Sequence, residues 1–163
     1  MAALIAASVE GDEGEAERLL DNGADVNARD DFQLTPLHLA ENEAIAKLLL
    51  DHGADVNASG DHQLTPLCYA ENEAVAKLLL DKGADVNARN DYQRTPLHCA
   101  QDVAFARLLV NRGAQLAAVN NDGKSALHEH LLLLHIAGFI LRTRFEVGEA
   151  VGEPEEEDEE EEG

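Results

Sequence analysis

The chain repeats a unit of 30 residues, and this period constrains its fold more than any other feature. Residues 35–64 recur with little change at residues 65–94, and again with more substitutions at residues 95–124. A fixed period of this length is typical of stacked supersecondary units, each of which buries its apolar face only against its neighbours. The sequence therefore predicts a solenoid.

The start of each unit predicts a short first helix. Thr35 is suited to the N-cap, because its hydroxyl can satisfy a free amide of the first turn. Pro36 follows at the first helical position, where a missing N–H costs nothing. Leu37 and Ala40 then form an apolar stripe that we expect to face the neighbouring unit.

The second helix of the unit is predicted from apolar residues at i, i+3 and i+4. Ile45, Leu48 and Leu49 have this spacing, and we expect Glu43 and Lys47 to pair on the outer side of the helix. A glycine and a run of turn-forming residues follow, which predicts a left-handed helix end and then a loop.

Two motifs recur in register, and together they resemble the ankyrin repeat. One reads TPLHLA, TPLCYA and TPLHCA, and the other reads DHGADVNA, DKGADVNA and NRGAQLAA. The resemblance covers about four fifths of the chain by the repeat reading. It implies an all-α solenoid of stacked helix pairs with β-hairpin-like loops projecting from one edge. It also implies a non-catalytic protein whose work is to bind other proteins as a scaffold or adaptor.

The units depart from the ankyrin pattern at two places. About three residues are missing between the first and second helices, which predicts a shorter first helix and connection than in the usual 33-residue unit. Gln33, Gln63 and Gln93 stand in the loops where the family usually has glycine. Because glutamine tolerates positive φ poorly, we expect the geometry of these loop tips to differ from the family's.

The repeats fill one predicted domain, residues 1–145. Its units are residues 2–34, 35–64, 65–94, 95–124 and a degenerate unit at 125–145. In the first unit Glu15 and Arg18 replace the apolar residues found at Ile45 and Leu48, which is what a terminal unit with one neighbour requires.

The degenerate last unit contains an apolar run at residues 131–141. Its length is below the roughly 20 residues that span a bilayer. Three interpretations stay open: a helix that closes the core, a surface for self-association or a partner, and attachment to a membrane surface. The acidic residues that follow argue against the membrane.

Residues 146–163 form an acidic tail that we expect to be disordered. They hold 11 acidic residues and no basic one, so the tail carries −11 of the formal net charge of −21 and leaves −10 on residues 1–145. This balance disfavours nucleic acid as a partner, since phosphate binding depends on Lys and Arg. It favours a basic protein partner, and a tail that only increases solubility explains it equally well.

The sequence offers no support for catalysis, a cofactor or a metal site. His38, Cys68, His98 and His128 share one position of the unit. Adjacent helices pack about 8–10 Å apart, too far for one residue per repeat to converge on a zinc ion. The ankyrin resemblance implies instead that such a histidine forms hydrogen bonds between repeats.

The Asp-Val-Asn trio places Asn27, Asn57 and Asn87 at equivalent positions of three turns. The residues themselves favour a structural role in which each side chain ties the turn backbone together. In an animal protein, the ankyrin resemblance would also make these asparagines candidate substrates of an asparaginyl hydroxylase.

The loop tips are the candidate partner-binding site. Aromatic rings recur there at Phe32, His62 and Tyr92, each preceded by an aspartate. Aromatic and Arg side chains contribute most hot-spot energy in protein interfaces, although the rings could instead fold back and brace the stack. The complete predicted site is Arg29, Asp31, Phe32, Leu34, Asp61, His62, Leu64, Arg89, Asp91, Tyr92, Arg94, Asn121 and Asp122.

These features predict a protein-interaction module that uses the tips and the concave face of the stack. The alternative is a self-associating or membrane-associated adaptor in which residues 131–145 are the working surface. The apolar stretch at residues 2–7 is too short for a signal peptide and has no basic residues before it. We therefore expect an intracellular location, in the cytoplasm or the nucleus.

Light scattering with and without residues 131–163 separates these two alternatives. If residues 131–145 self-associate, we expect the full chain to have a multiple of the monomer mass and the shortened chain to be monomeric. Equal, monomeric masses for the two chains would contradict self-association through residues 131–145.

Overall fold

The computed structural model of the chain describes residues 3–129, which form helices and contain no β-strand. The predicted apolar run at 131–141 and the acidic tail at 146–163 lie outside the described residues. The α-helices are α1 (Ala3–Glu10), α2 (Glu13–Asp21), α3 (Glu43–Asp51), α4 (Pro66–Tyr69), α5 (Glu73–Asp81), α6 (Pro96–Cys99), α7 (Val103–Asn111) and α8 (Ala126–Glu129), and 3₁₀ helices span Pro36–Leu39 and Asp61–Gln63.

The first helix of each internal unit is short, as the sequence predicts. Pro36–Leu39, α4 and α6 have four residues each, whereas α1 in the longer first unit has eight. Each short helix begins after an extended threonine with proline at its first position, and an extended alanine ends it. Because the next helix begins only three residues later, the chain has no room for a further turn.

The second helices, α2, α3, α5 and α7, are nine residues long. A side-chain oxygen caps each one by accepting an amide of the first turn, and each ends before a glycine at positive φ, such as Gly53 at 87°. The glycine was predicted, and the capping residues were not, although their type and position are typical of N-caps. These caps are Asp12, Asn42, Asn72 and Asp102.

The second helices pack successively, α2 on α3, α3 on α5 and α5 on α7, and their apolar faces form the core. Ile45, Ala46 and Leu49 of α3 are fully buried, whereas Leu48 is only half-buried at the edge of the core. The buried face of α3 is therefore rotated from the predicted one, so that it includes Ala46 in place of Leu48. The outer pairing also differs, because Lys47 lies 2.6 Å from Asp51 and pairs with it rather than with Glu43.

The first unit carries an ion pair on α2 where the next unit has apolar residues, as expected of a terminal unit. Arg18 and Glu15 lie where the next unit has apolar side chains, and their charged atoms are 2.6 Å apart. The two side chains remain accessible to water, so the outer face of α2 needs no further neighbour.

The glutamines at the loop tips take the left-handed conformation that we expected them to avoid. Gln33, Gln63 and Gln93 have φ of 60°, 60° and 58°, close to the 71° of Gly123 at the fourth tip. The predicted change of geometry at the glutamines is therefore wrong. A left-handed conformation costs a non-glycine residue about 1–2 kcal/mol, which the surrounding hydrogen bonds must offset.

At three of the four tips, hydrogen bonds come from the residue that begins the tip. The Asp30 carboxylate accepts the amides of Phe32 and Leu34 at 2.9 and 2.8 Å, and Asn90 does the same at the third tip. Gly60 replaces this residue at the second tip, where the backbone forms the Asp61–Gln63 3₁₀ helix with His62 at φ 51°. The second tip is therefore the one that differs from its neighbours.

Truncation of a buried leucine should cost more in the middle of this stack than at its end. Leu79→Ala removes a fully buried side chain between two neighbours, and we expect unfolding free energy to fall by about 2–5 kcal/mol. Leu20→Ala in the first unit should cost less, because α2 has a neighbour on one side only. Chemical denaturation of both variants is the measurement, and equal losses would contradict a stack stabilised by nearest neighbours.

Candidate interaction surface

Backbone hydrogen bonds join the loop tips into one continuous edge. In each case the amide of one tip donates to the carbonyl of the aromatic residue in the tip before it, at 3.0 Å. The tips are therefore held at a fixed spacing by the scaffold. The bonds run from Asp61 to Phe32, from Asp91 to His62 and from Asn121 to Tyr92.

The aromatic side chains of this edge point towards solvent. Phe32 is 66% exposed and Tyr92 is 50% exposed, so neither ring is used to fill the core. Tyr92 lies beside the ring of His62, with ring centroids 5.2 Å apart, and the two form one exposed patch. The imidazole of His62 also lies 3.7 Å from Asp61 and 3.9 Å from Asp91.

The arginines of the predicted site bind within the stack. Arg29 donates to the Gln33 carbonyl of its own tip and, at 2.5 Å, to the Ser59 carbonyl of the next unit. Arg89 repeats the arrangement with Val119 at 3.1 Å. Arg94 is half-buried and donates to the carbonyl of His98 at 2.9 Å. These guanidinium groups therefore have a structural role that the sequence reading did not foresee.

The leucines of the predicted site lie beneath the tips. Leu34 is buried, so its inclusion among exposed binding residues is wrong. It lies directly against the next tip, since a β-carbon on Gly60 would be 2.7 Å from Cδ2 of Leu34. Leu64 is half-buried at the equivalent position.

Each of the four tips presents one exposed carboxylate, alongside exposed polar residues such as the tip glutamines. The described surface of the edge presents Asp31, Asp61, Asp91 and Asp122 to solvent, one from each of the four tips. Asn121 is also exposed, and its side-chain amide donates to the backbone carbonyl of Asp91 at 3.1 Å, which links the last two tips. The edge therefore combines exposed rings with negative charge.

A cavity of about 350 Å³ opens where the short first helices end. The side chains of Val9, Leu39 and Tyr69 form its apolar wall, and Glu41 and Glu71 supply carboxylates. The sequence reading did not identify this site. The sequence feature that could have indicated this cavity is the absence of about three residues between the first and second helices of each unit, because a longer first helix would occupy part of this space.

The asparagines of the Asp-Val-Asn trio connect neighbouring turns. Asn27 donates to the Gly53 carbonyl at 3.3 Å and accepts the Asp55 amide at 2.9 Å, both in the next unit. Asn57 and Asn87 repeat both bonds one and two units further on. The predicted structural role of these asparagines is therefore confirmed, but each side chain ties its own turn to the turn of the next unit.

The comparison with known families agrees with this geometry. The family model described as "Ankyrin repeats (3 copies)" matches residues 3–90 and 71–136, which is more than half of the chain. The chain belongs to the ankyrin repeat family. Ankyrin repeats are generally protein–protein interaction modules and are typically non-catalytic. No curated protein matches the chain.

The histidines of the ankyrin TPLH motif bond to the last residue of their own unit, at the boundary with the next repeat, whereas the resemblance implied a bond between repeats. Nδ1 of His38 accepts the Thr35 amide at 3.1 Å, which leaves the proton on Nε2 to donate to the Leu64 carbonyl at 3.0 Å. His98 makes the same bonds to Thr95 and Lys124. Within residues 3–129, no three His, Cys, Asp or Glu side chains are placed to hold one metal ion.

Across the same residues, no helix has the length and apolar character needed to cross a bilayer.

The buried His38 should make the stability of the ankyrin stack depend on pH. Burial is the main cause that lowers the pKa of His38 below its usual 6.5. The unfolded chain therefore takes up a proton first as pH falls, so stability should be fully present above about pH 6.5 and be lost progressively below it. Thermal unfolding between pH 7.5 and 5 is the measurement.

The variant His38→Gln isolates this contribution. It should lower stability at pH 7.5 by about 1–3 kcal/mol, since buried hydrogen bonds are lost, and it should reduce the further loss at acid pH. His52→Gln, which changes an exposed histidine at the end of α3, is the matched control. An unchanged pH dependence in His38→Gln would show that the buried imidazole is not the cause.

Proposed function

We propose that this protein is a non-catalytic intracellular adaptor that binds a protein partner along the edge formed by its loop tips, with the adjoining concave face as a second contact area. The observation that carries the proposal is the exposure of Phe32 and Tyr92 on tips whose backbone is fixed by hydrogen bonds. Neither ring fills the core, which leaves half or more of each side chain exposed to a partner.

The rigidity of the edge supports this role. Binding costs free energy when loops must be ordered, and a surface that is already held in place avoids much of that cost. Here the amide-to-carbonyl bonds between tips and the bridges from Arg29 and Arg89 fix the loops before any partner arrives.

The charge of the edge indicates the chemistry of the partner. Exposed aspartates occur at each of the four tips, and residues 1–145 carry a formal charge of −10 without the acidic tail. A basic protein would be attracted to such a surface over a distance of about 10 Å at moderate ionic strength. We therefore propose that the partner presents Lys or Arg beside an apolar pocket that accepts the exposed rings.

Alanine variants of the two exposed rings test the proposal. The full chain first captures partners from cell extract, and mass spectrometry identifies them. Phe32→Ala and Tyr92→Ala are then titrated against the purified partner. Each should lower affinity by about 2 kcal/mol or more, as expected for an aromatic hot spot, and change stability by less than about 0.5 kcal/mol, as expected for exposed residues.

Glu17→Ala is the matched control, because Glu17 is exposed on α2 and lies outside the loop tips. It should bind like the unaltered chain. Unchanged affinity together with a lower melting temperature in Phe32→Ala and Tyr92→Ala would show that the rings brace the tips, and it would contradict this edge as the binding site.

A further inference from the structure

One position in the row of bridging histidines holds a cysteine. His38 and His98 each reach through Nε2 the last carbonyl of their unit, at the boundary with the following unit, but the equivalent residue between them is Cys68. A thiol has no second ring nitrogen with which to make that bond. The hydroxyl of Thr65 instead donates to Sγ of Cys68 at 3.8 Å, within the same unit.

The packing register places the second cysteine of the chain next to Cys68. In the preceding pair of units, Tyr69 packs edge-on against His38, with ring centroids 5.5 Å apart. Tyr69 directly follows Cys68, which is equivalent to His38, and Cys99 in the same way directly follows His98. Cys68 and Cys99 occupy these two positions one unit further on. Both thiols line a cavity of about 270 Å³ that is open to solvent, and both are half-buried.

The surroundings of Cys68 favour its thiolate. A hydrogen bond from Cys99, supported by Thr65 and the positive charge of Arg94, lowers the pKa of Cys68 to about 7, against the opposing effect of burial. Glu71 and Asp102 are the charged residues on the wall of the cavity. A low-pKa thiol that is accessible and has a neighbouring thiol is the arrangement that reacts readily with peroxides.

We propose that Cys68 and Cys99 form a dithiol modification site that hydrogen peroxide oxidises to a disulfide between adjacent repeats. The Cys68 thiolate attacks one peroxide oxygen and the O–O bond breaks, which gives a sulfenic acid and hydroxide. Cys99 then attacks Sγ of Cys68, and the S–O bond breaks as the second hydroxide leaves. Each hydroxide takes up one proton to become water, and the two thiols supply both electrons.

The disulfide would replace the link that the histidine makes at the other junctions. It would join α4 to α6 covalently and close a loop of about 30 residues, which restricts the unfolded chain. Oxidation should therefore raise the melting temperature, by on the order of 10 °C for a loop and a domain of this size. Reduction with dithiothreitol should reverse the increase.

Peptide mass spectrometry of the full chain tests the proposal. After brief treatment with hydrogen peroxide and blocking of remaining thiols with N-ethylmaleimide, the expected product is a monomer that has lost two hydrogens and has Cys68 bonded to Cys99. Sulfinic acid at Cys68, disulfides between chains, or two thiols that remain free would each overturn it.

Three variants separate the roles of the two thiols. Cys99→Ser should stop at the sulfenic acid, which dimedone traps, and Cys68→Ser should leave Cys99 reduced under the same conditions. Cys68→His restores the ring of the neighbouring units and should show no change of melting temperature with peroxide. Thermal unfolding under reducing conditions checks that each variant is folded. A peroxide-dependent increase in melting temperature in Cys68→His would also contradict the disulfide.

Discussion

Burial of leucine between neighbouring helix pairs is the interaction on which every other feature of this protein depends. Leu37, Leu49, Leu67, Leu79 and Leu97 have at most 1% of their surface exposed, and each is covered by helices of its own unit and the next. One pair of helices this short could not exclude water from such side chains alone. The repeats therefore fold as a stack, and the stack gives the loops their fixed positions.

Polar side chains add a second level of order, because they set the spacing between units more sharply than apolar packing can. Asn27 and Arg29 of the first unit donate to carbonyls of the second, and His38 donates to the last carbonyl of its own unit, directly before the next unit begins. Ser59 and Gly60 in the unit at 35–64, and Cys68 in the unit at 65–94, replace groups that the equivalent residues of other units use to hold the tip or to form backbone bonds. Other contacts remain on both sides of Cys68: the ring contact between His62 and Tyr92 joins units 35–64 and 65–94, and the ion pair between Arg112 and Asp81 joins units 65–94 and 95–124.

Local rules predicted the helices, their glycine ends and the polar cap at Glu15 and Arg18, because each depends on residues close in sequence. The errors concern contacts with other units. Periodicity identified the apolar face of α3 but not its rotation, which buries Ala46 in preference to Leu48. Leu34 was assigned to the surface because it lies in a loop, yet the following tip covers it. Gln33 adopts positive φ in a tip whose amides bond to Asp30, a contact that propensity alone does not include.

The distribution of charge at the edge follows from the same bonds. Arg29, Arg89 and Arg94 all lie near the tips, but they donate to backbone carbonyls and so help to hold adjacent loops. The nearby aspartates at Asp31 and Asp91 remain exposed. Such positive charge is fixed close to the backbone, whereas the carboxylates extend into solvent beside the aromatic rings. If the proposed function holds, a surface built this way would favour a partner that brings its own positive charge and would disfavour acidic proteins through like-charge repulsion.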